Sequence, residues 1–279
     1  MIRHEYLARP QVSAFISWLA ARLDTQDSFV HSFHMRKADS WWKCDSLFSA
    51  FQRYEWKFSV LDPFSGRLLS GKSFAETADA LSLIGLRIRD AISRGDHDLA
   101  LAGCQAVLKW GGIRKGRYLE RLGEKLIPVL KTRVRMLADP EMDLNFLPSI
   151  DMNSGWTKIY SLLVEDFAMY DSRVSAALCM LVGLFAHEGG LLSLPNELRF
   201  CQLPHRATVD RSPPYFRDQF PKARFGGCQH LCSNIMANWV LAATVRSRPS
   251  RFSSLQSSGR DSWALQSALF MIGYQTSRG

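Results

Sequence analysis

The chain has no apolar run as long as the roughly 18–20 residues that a membrane-spanning helix needs, and its mean hydropathy is close to zero. A helical membrane protein is therefore not expected. The opening stretch, MIRHEYLARPQVSAF, has no uninterrupted apolar segment of the secretory-leader kind, because charges break it first. Cysteine is sparse: six in 279 residues, at positions 44, 104, 179, 201, 228 and 232, too scattered for a disulfide framework. CQHLC, from Cys228 to Cys232, lacks a second ligand pair at zinc-like spacing. Its cysteines read as small residues facing a core. No four-cysteine iron–sulfur pattern and no internal repeat is present. The expectation is a cytoplasmic monomer with no metal and no cofactor.

Acidic residues are the minority. Thirty-five Lys and Arg stand against 26 Asp and Glu, a formal net charge of +9. Such an excess points to a polyanionic partner, most often nucleic acid, or to an ordinary solvated basic surface. The cations cluster in KWGGIRKGR (109–117), KTRVR (131–135) and RSRPSR (246–251).

Hydrophobic residues make up 47% of the chain, enough for a large core. Helical spacing predicts a helix over 11–24. The segment from Ser40 to Phe64 is dense in aromatics: Trp41, Trp42, Phe48, Phe51, Tyr54, Trp56 and Phe58. Such a cluster reads as core, with base stacking the alternative, and EWKFSVL within it as a short strand. From Phe74 onward the pattern is helical. One helix ends at Gly95 and the next runs from an Asp cap to Gly111-Gly112. Residues 117–138 give one or two helices broken near Pro128. Further helices are expected over 172–186, 228–245 and SWALQSALFMIGY, with a Ser/Arg-rich loop before the last. The fold class is mainly α. Residues 1–72 form an aromatic-rich segment packing on a helical core of 73–279, which carries a hairpin at about 150–158 and a loop-rich segment at 187–227.

The stretch MNSGWTK (152–158) places turn formers before a helix. Unpaired N–H groups at a helix start, with the positive end of its dipole, make an anion site. Asn153, Ser154, Gly155, Trp156 and Thr157 are thereby candidates for holding a DNA backbone phosphate. Lys158 lies in the first helical turn, where a cation opposes the dipole. Either it binds phosphate or its amine is discouraged from carrying charge, and an uncharged lysine amine is a nucleophile. Asp171, after FAMY and before SRVSAAL, is well placed to cap the next helix through the N–H of Arg173 or Val174. That cap could be its whole role.

SGWTK followed by FAMYD resembles the helix–hairpin–helix DNA glycosylase superfamily, in its 8-oxoguanine glycosylase-like branch. There a G-x-G-[TS]-K turn precedes a helix, and a catalytic aspartate opens the next one. Ser154-Gly155-Trp156-Thr157-Lys158 aligns with the turn, and Asp171 with the aspartate. Ser154 and Trp156 stand where the family has glycine, and Met169-Tyr170 where it has Pro-Val. The resemblance covers about residues 145–180. It implies two helical subdomains flanking a cleft, double-stranded DNA with a modified base as partner, and base excision by Lys158 and Asp171, with strand cleavage as an associated lyase step. The base would be 8-oxoguanine-like, in repair, or a hypermodified base of foreign phage DNA, in antiviral defence. The resemblance also points to CQHLCSNIMANWVLA as a pocket wall. Gln229, His230, Asn234 and Asn238 are candidate base-edge contacts, with Trp239 or Phe225 to stack. A non-catalytic helix–hairpin–helix DNA-binding protein, or an unrelated helical protein, stays open.

Overall fold

The computed structural model describes residues 1–35, 39–113, 116–205, 209–223 and 228–276. It is mainly helical. Short helices α1 (Arg3–Leu7) and α2 (Pro10–Ala20) lead into an antiparallel hairpin, β1 (His31–Met35) with β2 (Ser40–Cys44), in the register His31↔Cys44. Helix α3 (Leu47–Gln52) follows, opened by the Ser46 side chain, which accepts from Ser49 N. A second hairpin pairs β3 (Phe58–Leu61) with β4 (Leu68–Gly71), register Phe58↔Gly71. The aromatic-rich segment thus contains three strands and a helix beyond the single strand expected from EWKFSVL. Strands this short show little alternation, and cross-strand partners decide them.

Helix α4 (Phe74–Arg94) begins with a capping box between Ser73 and Glu76 and ends at Gly95 in the left-handed region (φ 72°), so the local signals suffice there. Helix α5 (His97–Trp110) starts where Asp96 accepts from Leu99 N. Then come α6 (Arg117–Glu120) and α7 (Leu126–Leu137). The interruption falls at 121–125, and Pro128 lies inside the first turn of α7, where a missing N–H costs nothing. Helix α8 (Trp156–Leu163) and α9 (Ser172–Glu188) follow, then α10 (Gln229–Arg246) and α11 (Asp261–Ile272). The Ser/Arg-rich stretch before α11 is a 3-10 run, Arg251–Ser258, rather than an open loop.

Helix α9 is the central element: every residue from Val174 to Gly183 is buried. Helices α2 and α11 pack on it, α10 packs on both of these, and α4, α5 and α8 pack against one another. One continuous hydrophobic cluster joins Tyr6, Phe15 and Phe33 of the first 72 residues to Leu81, Ile159, Leu178 and Leu265 of the rest. Gly273, at the end of α11, sits so close to Arg173 O that a Cβ would collide with it. This contact ties the end of α11 to the start of α9. No described helix is long and apolar enough to cross a membrane.

Candidate active site

The approach to α8 is closed by its own side chain. Asn153 Oδ1 accepts from Gly155 N (2.8 Å) and Trp156 N (3.0 Å), and Asn153 O accepts from Thr157 N (3.0 Å). The N–H groups of Gly155, Trp156 and Thr157 are therefore engaged internally. Trp156 and Thr157 are buried. Trp156 stacks on Tyr160 at 5.4 Å with Arg133 over its ring. Gly155 keeps ordinary helical angles (φ −85°, ψ −49°). It is glycine because a Cβ would collide with Tyr118 Oη and come within 2.9 Å of Leu108.

The segment 164–171 crosses from α8 to α9 and is pinned along its length. Ala168 N donates to Asn238 Oδ1 (2.7 Å), and Ala168 O accepts from Asn234 Nδ2 (3.0 Å). Met169 N donates to Gln266 Oε1 (2.8 Å) and Tyr170 N to Thr157 Oγ1 (2.9 Å). His230 Nε2 meets Tyr170 O at 2.9 Å, and Tyr170 Oη donates to Cys201 O at 2.6 Å. Buried polar groups in such a fully paired network hold one geometry. Burial lowers the His230 pKa, against the opposing pull of the Tyr170 carbonyl and Asp171.

Asp171 emerges from this frame with its two oxygens assigned separately. Oδ1 caps α9, accepting from Arg173 N (3.0 Å) and Val174 N (3.2 Å). Oδ2 faces Lys158 Nζ at 3.2 Å, and Nζ also donates to Ser154 O at 3.1 Å. The side chains are only 7% and 15% exposed. Burial pushes the Asp171 carboxyl up, but the Lys158 charge, the Val174 N–H and the Arg173 charge outweigh it, leaving the pKa below the ordinary carboxylate value. Gly111 supplies the space for the lysine: a Cβ there would lie 2.6 Å from Lys158 Cδ and 2.7 Å from Cε. The Trp110-Gly111-Gly112 turn is thus both the end of α5 and a close-packed neighbour of the pair.

Lys158 and Asp171 line one pocket, a cavity of about 60 Å³. Its other walls include six aromatic residues: Tyr54, Trp56, Phe74, Trp110, Trp263 and Phe270. Trp56 Nε1 donates to Trp110 O (3.0 Å), locking two of these walls together. Two of the early aromatics, Tyr54 and Trp56, therefore face the pocket, whereas Trp42, Phe48 and Phe58 are buried in the core and Trp41 is exposed. Trp263, Gln266 and Phe270 were not singled out in the sequence. Their three- and four-residue spacing on α11 puts them on one face, and only the packing of α11 shows which cavity that face meets.

The α10 residues expected to read a base do not wall this pocket. His230, Asn234 and Asn238 spend their polar atoms on the 164–171 segment. Trp239 is buried against Tyr6 at 5.7 Å, and Gln229 borders a different groove with Cys228, Cys232 and Arg199. Phe225 lies outside the described residues, as do Arg114 and Lys115 of the first basic cluster. The cysteines of CQHLC do not both face the core: Cys228 is exposed and Cys232 half-buried. Among the described residues no group of His, Cys, Asp and Glu could hold a metal. Within RSRPSR, Arg246 pairs with Asp166 (2.6 Å) and Arg248 with Asp24 (3.6 Å), so those two cations are already balanced. No protein-family model matches the chain, and comparison with curated proteins and with solved structures likewise gives no match.

Proposed function

We propose that this chain is a DNA glycosylase of the helix–hairpin–helix type, which takes a modified base out of the duplex and excises it. The observation that carries the reading is the amine and carboxylate 3.2 Å apart in the wall of an aromatic-lined pocket. The excess of cations favours a polyanionic substrate. A base cannot be attacked at its glycosidic bond inside the stack, so it must be extruded into a pocket of this kind. Flat aromatic walls suit a flipped base, because every base offers a π-face.

In this reading the Lys158 amine, once it has lost a proton, attacks the sugar C1′. A C–N bond forms to the protein while the C1′–base bond breaks. Its electron pair leaves with the base, which takes up a proton. Asp171 stays ionised and offsets the positive charge developing on the sugar. Opening of the sugar ring then gives an imine, from which β-elimination can cleave the strand. The excised base is 8-oxoguanine-like or a hypermodified base of foreign DNA.

The test is base release from a panel of duplexes with different modified bases, with borohydride present during turnover. Release with covalent trapping on Lys158, located by peptide mapping and lost in Lys158→Gln, is expected. Release without an adduct would replace the lysine by activated water. Tight DNA binding without release from any duplex would favour the second reading, a non-catalytic DNA-binding protein. The capping role of Asp171 Oδ1 and the Lys158–Ser154 bond are structural functions that such a protein would keep.

A further inference from the structure

Two arginines beside the pocket meet no carboxylate within ion-pair distance among the described residues. Arg173 lies two residues beyond Asp171, and its guanidinium stacks over Phe270 (4.2 Å), Tyr274 (4.9 Å) and Trp56 (5.7 Å). Phe270 and Trp56 are walls of the pocket. Among the described residues the guanidinium meets no carboxylate within ion-pair distance and donates no hydrogen bond. Stacking engages its face rather than the N–H edge, the edge that grips phosphate bidentately. Arg211 comes in from the 209–223 segment. Its Nε donates to Tyr274 O (3.1 Å) and one terminal nitrogen to Ser172 Oγ (2.8 Å). These bonds fix the side chain and leave its other terminal nitrogen without a partner among the described residues.

Both guanidinium groups are partly buried and close enough to repel. Burial pulls Arg173 down to about 10, with the Arg211 charge adding to the fall and Asp171 opposing it. The nearby carboxylate, Asp171, has one oxygen on a helix start and the other on Lys158. Two like charges held close together, with the Arg173 N–H groups and one Arg211 terminal nitrogen unpartnered among the described residues, are stabilised by an anion from outside. At the hairpin, Asn153 Oδ1 already occupies the Gly155 and Trp156 amides.

We propose that Arg173 and Arg211 form the phosphodiester-binding site that positions the substrate strand at Lys158. This rests on the glycosylase reading. A nucleotide with C1′ at Lys158 carries its phosphates a sugar's width away, and Arg173 stands two residues beyond the Asp171 that contacts Lys158.

The test uses a duplex with a tetrahydrofuran abasic analogue, which has no base to excise, and anisotropy titrations at several KCl concentrations. Arg173→Gln and Arg211→Gln should each weaken binding roughly tenfold to a hundredfold. Each should also reduce the slope of log K against log salt by about 0.9. Arg173→Lys should keep most of the slope. Arg94→Gln, an exposed control paired with Asp90, should change neither. A purely structural arginine would alter melting and leave the salt slope unchanged. Unchanged slopes in folded variants would overturn the phosphate site while leaving the glycosylase reading intact; absence of binding by the wild-type protein would overturn both. Should Arg173→Gln fail to fold, Arg211→Gln decides alone.

Discussion

Replacing Thr157 by Val removes one hydroxyl and keeps the shape. Thr157 is fully buried, so no cavity is opened and no surface is exposed. Its Oγ1 accepts from Tyr170 N (2.9 Å) and lies 2.7 Å from Asn234 Oδ1 and 3.0 Å from Ala168 O, to one of which it donates. Ala168 O keeps the Asn234 Nδ2 bond in the variant. The Tyr170 N–H keeps its second acceptor, Ala168 O (3.0 Å), so one buried group, Asn234 Oδ1, is left unpaired. At about 1–3 kcal/mol for such a group, the expected loss is about 1–3 kcal/mol, a sizeable share of the roughly 5–15 kcal/mol typical of a folded domain. At roughly 2–3 °C per kcal/mol for a chain this long, melting should fall by about 2–9 °C. Urea unfolding followed by circular dichroism measures the energy directly. The consequence for the site is larger than the loss of stability. Tyr170 is the residue before Asp171, and a carboxylate displaced by about 1 Å can cost on the order of a hundredfold in rate. Base release should therefore fall far more than binding. A loss below about 1 kcal/mol would refute the argument that this hydroxyl holds the segment in place, and full base release at normal stability would refute its link to Asp171.

Asp171→Asn keeps an oxygen able to cap α9 but removes the charge opposite the sugar; base release should drop about 10²–10³-fold with DNA binding retained, and near-normal turnover would reduce Asp171 to a cap. Gly155→Ala drives a methyl into Tyr118 and Leu108, so denaturant midpoints should shift by about 1–3 kcal/mol; a silent substitution would show that the α5–α8 contact is loose. The Asp171 carboxyl is held below its unfolded value, so its contribution to stability is complete above about pH 4 and is lost as pH falls through the lower folded value. The gap in melting temperature between wild type and Asp171→Asn should narrow on acidification below about pH 4; a gap that stays constant down to pH 2 would mean the pair contributes nothing through its charge.

The longer helices from Phe74 onward, some of their caps and the order of the charged pair are legible in the chain itself. Ser73 with Glu76, Asp96, Asp171 and Gly95 signal their helix ends through neighbours three or four residues away, so no distant contact is needed to read them. The expectation that Lys158 and Asp171 act together came from the motif, and the 3.2 Å between them is the packing of α8 against the start of α9. Other features were decided only by the fold. Asn153 turns back on the Gly155 and Trp156 amides, and the α10 residues His230, Asn234 and Asn238 brace the 164–171 segment. Gly111 gained its meaning from the stem of Lys158 lying against it. The pocket walls come from residues 54–81, 110–111, 158–174 and 263–270. No local pattern specifies which of several apolar helix faces meet, because each is equally satisfied by any apolar partner. Only their joint packing around α9 brings Tyr54, Trp110 and Phe270 to the same side as the amine.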